Sequence, residues 1–165
     1  ETVYGLGANA LSDPAVRKIF AAKERPADNP LIVHIAALAD MEPLCHINDM
    51  ARRLAAAFWP GPLTLILPEA RGVAANLIPE EGTLGIRIAD HEFCKRLIRK
   101  LRKPLVSTSA NITGQPTPAT FSEISKEIVD GVDLVIDPQF DEHPTHKASS
   151  ILMVGIDGEI KIIRA

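Results

Sequence analysis

Short apolar runs alternate with stretches of helical periodicity along this chain, and that alternation limits the possible folds most. Leu31–Ile35, Leu63–Leu67 and Leu84–Ile88 have the length and composition of buried strands. Between them, apolar residues recur every three to four positions, as in a helix with one buried face. Alternating strands and helices predict an α/β fold with a mixed, twisted β-sheet and flanking helices.

Capping residues place the predicted helices. Asp13 as N-cap with Pro14 at the first helical position begins one helix, and Asn48 caps a second. Asp90 is predicted to cap a third helix. Thr120 and Glu123 form a capping-box pattern that predicts a fourth.

Four further segments complete the predicted sheet. Thr2–Tyr4 is predicted to end a strand that runs into a turn at Gly5–Gly7, and Pro104–Thr108 and Leu134–Ile136 are predicted strands. The pair Asp157-Gly158, between two apolar runs, predicts a C-terminal hairpin over 151–163.

Composition fits one globular domain of 165 residues, with 46% hydrophobic and 24% charged residues. A net charge of −3 provides no global attraction to nucleic acid, so RNA binding would need a local basic patch. Cys45 and Cys94 lack metal-site spacing and favour a reducing compartment. The absence of a signal-peptide pattern or a membrane-length apolar run predicts a cytoplasmic protein.

Lys23 and Arg25 lie in a segment stiffened by Pro26 and Pro30, just before the run that ends at His34. Closely spaced cations on a rigid loop suit phosphate groups. A solvated charge pair explains the spacing equally well.

Two further features indicate a ligand site. Arg87 lies inside an apolar strand, which requires either a ligand carboxylate or a buried salt bridge. The segment Ser107-Thr108-Ser109-Ala110-Asn111 offers neutral donors for phosphate or ribose, although it also has the composition of an ordinary turn.

Other patterns are weaker. Gly5-Leu6-Gly7-Ala8-Asn9-Ala10 matches a dinucleotide fingerprint, but the next helix begins too late, and no P-loop is present. The basic stretch Lys95–Lys103 could bind RNA, but a solvated helix face with cations toward its C-terminus is the favoured interpretation. His143 and His146 lack partners at ligand spacing, so no protein-bound metal is predicted.

Four motifs in order resemble the YrdC/Sua5 family of threonylcarbamoyl-AMP synthases. They are Glu1-Thr2-Val3-Tyr4-Gly5-Leu6-Gly7, Lys23-x-Arg25-Pro26 with Asn29-Pro30-Leu31 and His34, Trp59-Pro60-Gly61-Pro62-Leu63-Thr64, and Ser109-Ala110-Asn111 with Gly114 and Pro116. The resemblance implies a twisted mixed sheet around a concave, positively lined cavity. It also implies a nucleotidyltransferase that makes threonylcarbamoyl-AMP and pyrophosphate from L-threonine, bicarbonate or CO2, and ATP with Mg²⁺. The product serves the modification of adenosine 37 in tRNA by a downstream transferase complex.

The same resemblance assigns the site residues. Lys23 and Arg25 would be catalytic and would hold the ATP phosphates, and the remaining ATP-binding residues would be Asn29, Thr83, Ser109, Asn111, Thr117 and Arg164. Threonine would be bound by Thr2, His34, Arg87, Ser107 and Ser149. The segment Ala148-Ser149-Ser150 lacks the acidic residues usual in the family, which weakens the assignment of Ser149.

The resemblance also predicts one YrdC-like domain over 1–165 that lacks an N-terminal strand and the C-terminal domain of longer relatives. Two alternative functions stay open. One is a carbamoyl-adenylate-forming domain of the hydrogenase-maturation type, which uses carbamoyl phosphate. The other is a non-catalytic module that binds double-stranded RNA through the basic helix.

Overall fold

A mixed sheet of the kind that the sequence predicts forms the centre of the protein, and seven strands of it are described. The computed structural model describes residues 1–24, 31–141 and 144–165. The strands are β1 Gly5–Asn9, β2 Ile32–His34, β3 Leu63–Leu67, β4 Leu84–Arg87, β5 Leu105–Ser109, β6 Ser150–Val154 and β7 Ile160–Arg164. Their order across the sheet is β1-β5-β2-β4-β3-β6-β7. The pairs β2–β4 and β3–β6 are parallel and the others are antiparallel.

In the part of the chain that the structure describes, four α-helices connect or flank these strands: α1 Asp13–Ala22, α2 Asp49–Phe58, α3 Glu92–Leu101 and α4 Lys126–Asp130. Asn48 caps α2 as predicted, its side-chain oxygen accepting from the Ala51 amide at 2.9 Å. The predicted caps of α1 and α3 are each wrong by one residue, because Ser12 and His91 accept the capping bonds. None of the helices described here has the length and apolar character needed to cross a membrane.

The hydrophobic core lies on one face of the sheet. Registered pairs place Val106, Val33, Ile86 and Leu65 side by side on adjacent strands, and all four are fully buried. Val16 and Ile19 of α1 and Ala51 and Ala55 of α2 belong to the same cluster. Side chains alternate between the two faces of the sheet along each strand. The residues immediately before and after each of these four therefore point away from the core.

Three predicted elements are wrong. Residues 2–4 precede the first strand, which begins at Gly5, so the glycines expected in a turn lie in β1. This removes the dinucleotide interpretation, because that fingerprint needs its glycines in a strand-to-helix turn. The segment Leu134–Ile136 forms no strand, and Leu134 is 75% exposed.

The predicted fourth helix is divided. Thr120 and Glu123 bond to each other at 3.1 Å, but the turn that follows is a single 3-10 turn, Phe121–Glu123. Ser125 then caps the short helix α4 separately. The predicted capping box is therefore wrong, because the Thr120 side chain bonds to the Glu123 side chain and caps no backbone amide. The pattern also did not predict the break at Ile124, whose backbone is extended.

Candidate functional site

The face of the sheet opposite the core carries a polar row. His34 pairs with Arg87 across β2 and β4, and Ile32 pairs with Ser107 across β2 and β5. Because Leu65 pairs with Ile86, Thr64 occupies the position beside Arg87 on β3. Directly paired residues share a face, so His34, Arg87 and Thr64 line the same surface.

Arg87 is the most buried cation of this face, with 4% of its surface exposed. Burial lowers its pKa, and the neighbouring carboxylate of Glu1 opposes that shift by ion-pairing with Arg87 Nη2. Of the two alternatives open from the sequence, a buried salt bridge is therefore present, and a ligand carboxylate stays a prediction.

His34 lies beside this guanidinium. Burial, and then the positive charge of Arg87, lower the pKa of His34 from 6.5 to about 3. The imidazole is therefore neutral at physiological pH, able to donate one hydrogen bond and accept another. Arg164 at the end of β7 also acts on this centre, since its charge lowers the pKa of Arg87.

Ser149 joins the row through a buried hydrogen bond with Thr64 and a partly buried one from Arg164. Its hydroxyl lies 2.8 Å from Thr64 Oγ1, and its backbone oxygen accepts from Arg164 Nε at 2.8 Å. Both Ser149 and Thr64 are buried. The bond between Ser149 and Thr64 connects β3 with the segment that leads into the C-terminal hairpin. The bond from Arg164 places this residue, assigned to ATP, next to Ser149, assigned to threonine.

Lys23 follows helix α1 and reaches the loop after β5. Its ammonium donates to the backbone oxygens of Ser109 and Asn111, and its exposed fraction is 1%. A further bond runs from the Thr113 amide to the Lys23 oxygen at 2.9 Å. The structure thus joins two of the predicted phosphate-binding segments through a buried cation.

A cavity of about 420 Å³ opens beyond that loop. Asn111 and Thr117, both assigned to ATP, line it together with Glu123, Ser125 and Glu127. This volume is within the range of small-molecule sites.

The remaining residues assigned to the site are two that the structure places near β1 and β4 and two that it does not describe. Thr2 is buried before β1, and its backbone oxygen accepts from the His146 amide at 2.8 Å. Thr83 is half-buried just before β4, four residues from Arg87. Arg25 and Asn29 lie outside the described residues, so the expected meeting of Arg25 with Arg87 across one hollow stays a prediction.

Three buried polar atoms around these groups have no hydrogen-bond partner among the described residues. They are Glu1 Oε1, Arg87 Nε and Asn111 Oδ1. An unpaired buried polar atom costs about 1–3 kcal/mol, and two of these atoms belong to one ion pair, that of Glu1 with Arg87.

Sequence reasoning missed two residues of this arrangement. Glu1 was part of a recognised motif, but nothing in its spacing predicted an ion pair with a residue 86 positions away. Thr64 had a detectable signal, since it is a hydroxyl residue inside an otherwise apolar strand.

Comparison with known proteins decides the family. The Sua5/YciO/YrdC family, whose description is "Telomere recombination", matches residues 1–165. The chain belongs to this family. A threonylcarbamoyl-AMP synthase of Pyrococcus abyssi is 44% identical over 138 residues, which are 83% of this chain and 41% of that protein. The Bacillus subtilis enzyme of the same name is 41% identical over 139 residues, covering 83% and 40% of the two chains.

Solved structures give the same result for the fold. P. abyssi Sua5 complexed with L-threonine matches with a TM-score of 0.85 and 40% identity, covering 93% of this chain and 45% of that one. Full-length HypF in a phosphate- and nucleotide-bound form matches with a TM-score of 0.79 at 21% identity, covering 97% and 25%. The HypF match shows the shared fold alone. This chain spans about two fifths of the length of the P. abyssi and B. subtilis relatives.

Proposed function

We propose that this chain catalyses the synthesis of threonylcarbamoyl-AMP, with release of pyrophosphate, from L-threonine, bicarbonate or CO2, and ATP. The observation that carries the proposal is Arg87, a buried guanidinium with an unused Nε donor on a polar sheet face. Such a group matches the carboxylate of an amino acid, which accepts paired hydrogen bonds from arginine. Sequence similarity to enzymes named threonylcarbamoyl-AMP synthase supports the choice of amino acid and reaction.

The threonine half of the site centres on Arg87. Neutral His34 beside it is suited to a hydroxyl, with which it can exchange a hydrogen bond without adding charge. The residues proposed to bind L-threonine are Thr2, His34, Arg87, Ser107 and Ser149.

The nucleotide half lies toward the loop after β5. Buried Lys23 holds two carbonyls of that loop and adds positive charge where phosphates are expected. The cavity lined by Asn111 and Thr117 has room for part of a nucleotide. The residues proposed to bind ATP are Lys23, Arg25, Asn29, Thr83, Ser109, Asn111, Thr117 and Arg164.

The chemistry requires positioning more than a strong base. The threonine ammonium group first loses a proton, and the neutral amine then adds to CO2 and releases a second proton to give a carbamate, both protons passing to solvent. The carbamate is short-lived in water and benefits from a shielded pocket. A carbamate oxygen then attacks the α-phosphorus, and the bond to pyrophosphate breaks. Cations and hydroxyl groups stabilise the charge that develops, and Mg²⁺ enters with ATP as part of the substrate.

The proposed product implies a partner. A threonylcarbamoyl adenylate is an activated, labile acyl donor, and the transferase complex that modifies adenosine 37 of tRNA would consume it in the cytoplasm. Direct RNA binding has less support, because Lys95 and Arg99 of the basic helix form ion pairs with Glu92 at 3.3 and 3.6 Å.

Pyrophosphate release with each substrate omitted in turn tests the proposal. We expect release to require ATP, bicarbonate and L-threonine together, and mass spectrometry to detect threonylcarbamoyl-AMP. Arg25→Ala, which removes a proposed phosphate contact, should abolish release. Pyrophosphate release that ignores threonine but requires carbamoyl phosphate would favour the hydrogenase-maturation type of reaction.

A further inference from the structure

Glu1 has no role in the proposed threonine site, although its side chain is paired with Arg87. One carboxylate oxygen, Oε2, pairs with Arg87 Nη2, and the other, Oε1, is buried without a partner among the described residues. Arg87 Nε is unpaired in the same way. A negative acceptor and a positive donor are thus left unsatisfied on one ion pair.

Complementarity indicates which ligand would satisfy both atoms. An anionic ligand alone would satisfy Arg87 Nε but would add a second negative charge beside Glu1. A zwitterion supplies a carboxylate for the guanidinium and an ammonium group for the carboxylate. The four charges then alternate in sign, so no buried charge is left without an opposite neighbour.

Backbone contacts hold Glu1 in place. The Thr145 amide donates to the Glu1 oxygen at 2.7 Å, and the His146 amide donates to the Thr2 oxygen at 2.8 Å. Only 11% of the Glu1 side chain is exposed. If the carboxylate moved away from Arg87 while the backbone stayed in place, a buried charge would be left unpaired. If the whole residue moved, both backbone hydrogen bonds would be lost.

We propose that Glu1 binds the α-ammonium group of the amino acid whose carboxylate Arg87 binds. The inference rests on the proposed function and adds a residue that recognises the amine. Because Glu1 Oε1 and Arg87 Nε are shielded in the ligand-free protein, nearby side chains must shift on binding, as they do at many interfaces. Glu1 then selects amino acids over hydroxy acids of the same shape.

A thermodynamic cycle between Glu1 and the ligand amine tests this. Dissociation constants of L-threonine and of its deamino analogue, 3-hydroxybutanoate, are measured without ATP by ligand-observed NMR, which detects weak binding. We expect Glu1→Gln to weaken L-threonine binding by about 10-fold or more, the loss typical of a charge-assisted hydrogen bond. Binding of 3-hydroxybutanoate should change by less than about 2-fold.

Two variants complete the design. Glu42→Gln neutralises an exposed carboxylate that pairs with Arg52 at 2.6 Å, and it should leave both dissociation constants unchanged. If Glu1→Gln fails to fold, Glu1→Asp replaces it in the test. This variant keeps the charge and should still bind L-threonine in preference to 3-hydroxybutanoate.

Each remaining result overturns a specific claim. Equal losses for the two ligands would mean that Glu1 only positions Arg87, and tighter binding of both by Glu1→Gln would mean that Glu1 competes with the ligand carboxylate. Either result would reject the inference and leave the proposed function intact. Failure of the unmodified protein to bind L-threonine would reject the proposed function itself.

Discussion

Lys23 is unusual among the lysines because its ammonium group is buried. It donates to the backbone oxygens of Ser109 and Asn111, so the cation supports the loop that the proposed nucleotide would contact. Burial of a lysine is costly unless its charge is hydrogen-bonded. The residue therefore has a structural role in addition to any contact with phosphate.

Replacement of Lys23 should reveal that structural role. In Lys23→Met the two carbonyl oxygens lose a charged donor, and we expect the free energy of unfolding to fall by about 1–3 kcal/mol. The matched control is Lys18→Met in helix α1, which Lys23 follows; this change loses an exposed pair with Asp133 at 3.3 Å. That change should stay within about 0.5 kcal/mol. Urea denaturation measures both, and equal effects would contradict a supporting role for Lys23.

Strand β1 shows how an element positions a site residue without contributing a side chain. Gly5 and Gly7 lie on the polar face opposite Ser109 and Ser107 of β5. A Cβ atom at Gly5 would lie 3.0 Å from Ser107 Oγ, whereas one at Gly7 would lie 3.5 Å from the Val106 oxygen, an ordinary contact. The first glycine therefore leaves room for a hydroxyl assigned to the threonine site.

The two glycines form a matched pair for mutation. Gly5→Ala should force Ser107 away from its preferred rotamer, at a cost of about 0.5–1.5 kcal/mol, and weaken L-threonine binding by about 2- to 12-fold. Gly7→Ala should change binding by less than about 2-fold. Calorimetric titration with L-threonine compares them. Identical affinities for the two variants would separate Ser107 from the threonine site.

The stability of the whole molecule should depend on pH through His34. Its pKa falls to about 3 on folding, so between pH 6.5 and 3 the unfolded chain binds a proton that the folded protein does not. Folding stability is therefore fully present above pH 6.5 and decreases as the pH falls through this window. Because the His34 side chain is only half-buried, solvent should reduce this pH dependence of folding stability.

Unfolding free energies at pH 7 and pH 5 test this contribution. Full linkage gives a loss of about 2 kcal/mol for one such histidine over that interval, and we expect about 1 kcal/mol after allowing for solvent. In His34→Gln this contribution of about 1 kcal/mol to the loss of unfolding free energy should disappear. Curves for the two proteins that stay parallel from pH 7 to 5 would show that His34 does not titrate in this way.

The alternation of strands and helices was predictable from sequence because hydrophobic period is a local property. Leu63–Leu67, the cap at Asn48 and the C-terminal hairpin lie where the local pattern predicts them. Four separated motifs also predicted the family. Residues 2–7 were assigned wrongly, since a strand containing two glycines resembles a turn until a partner strand pairs with it.

The tertiary structure decided which polar residues meet. Pairing of β2 with β4 places His34 beside Arg87, and the bond between Ser149 and Thr64 joins positions 85 residues apart. The partner of Arg87 is Glu1, although the sequence required only that some anion be present. A charge inside an apolar strand fixes the sign of its partner, because burying it alone is too costly. Only strand order and register, which depend on contacts distant in sequence, determine the identity of that partner.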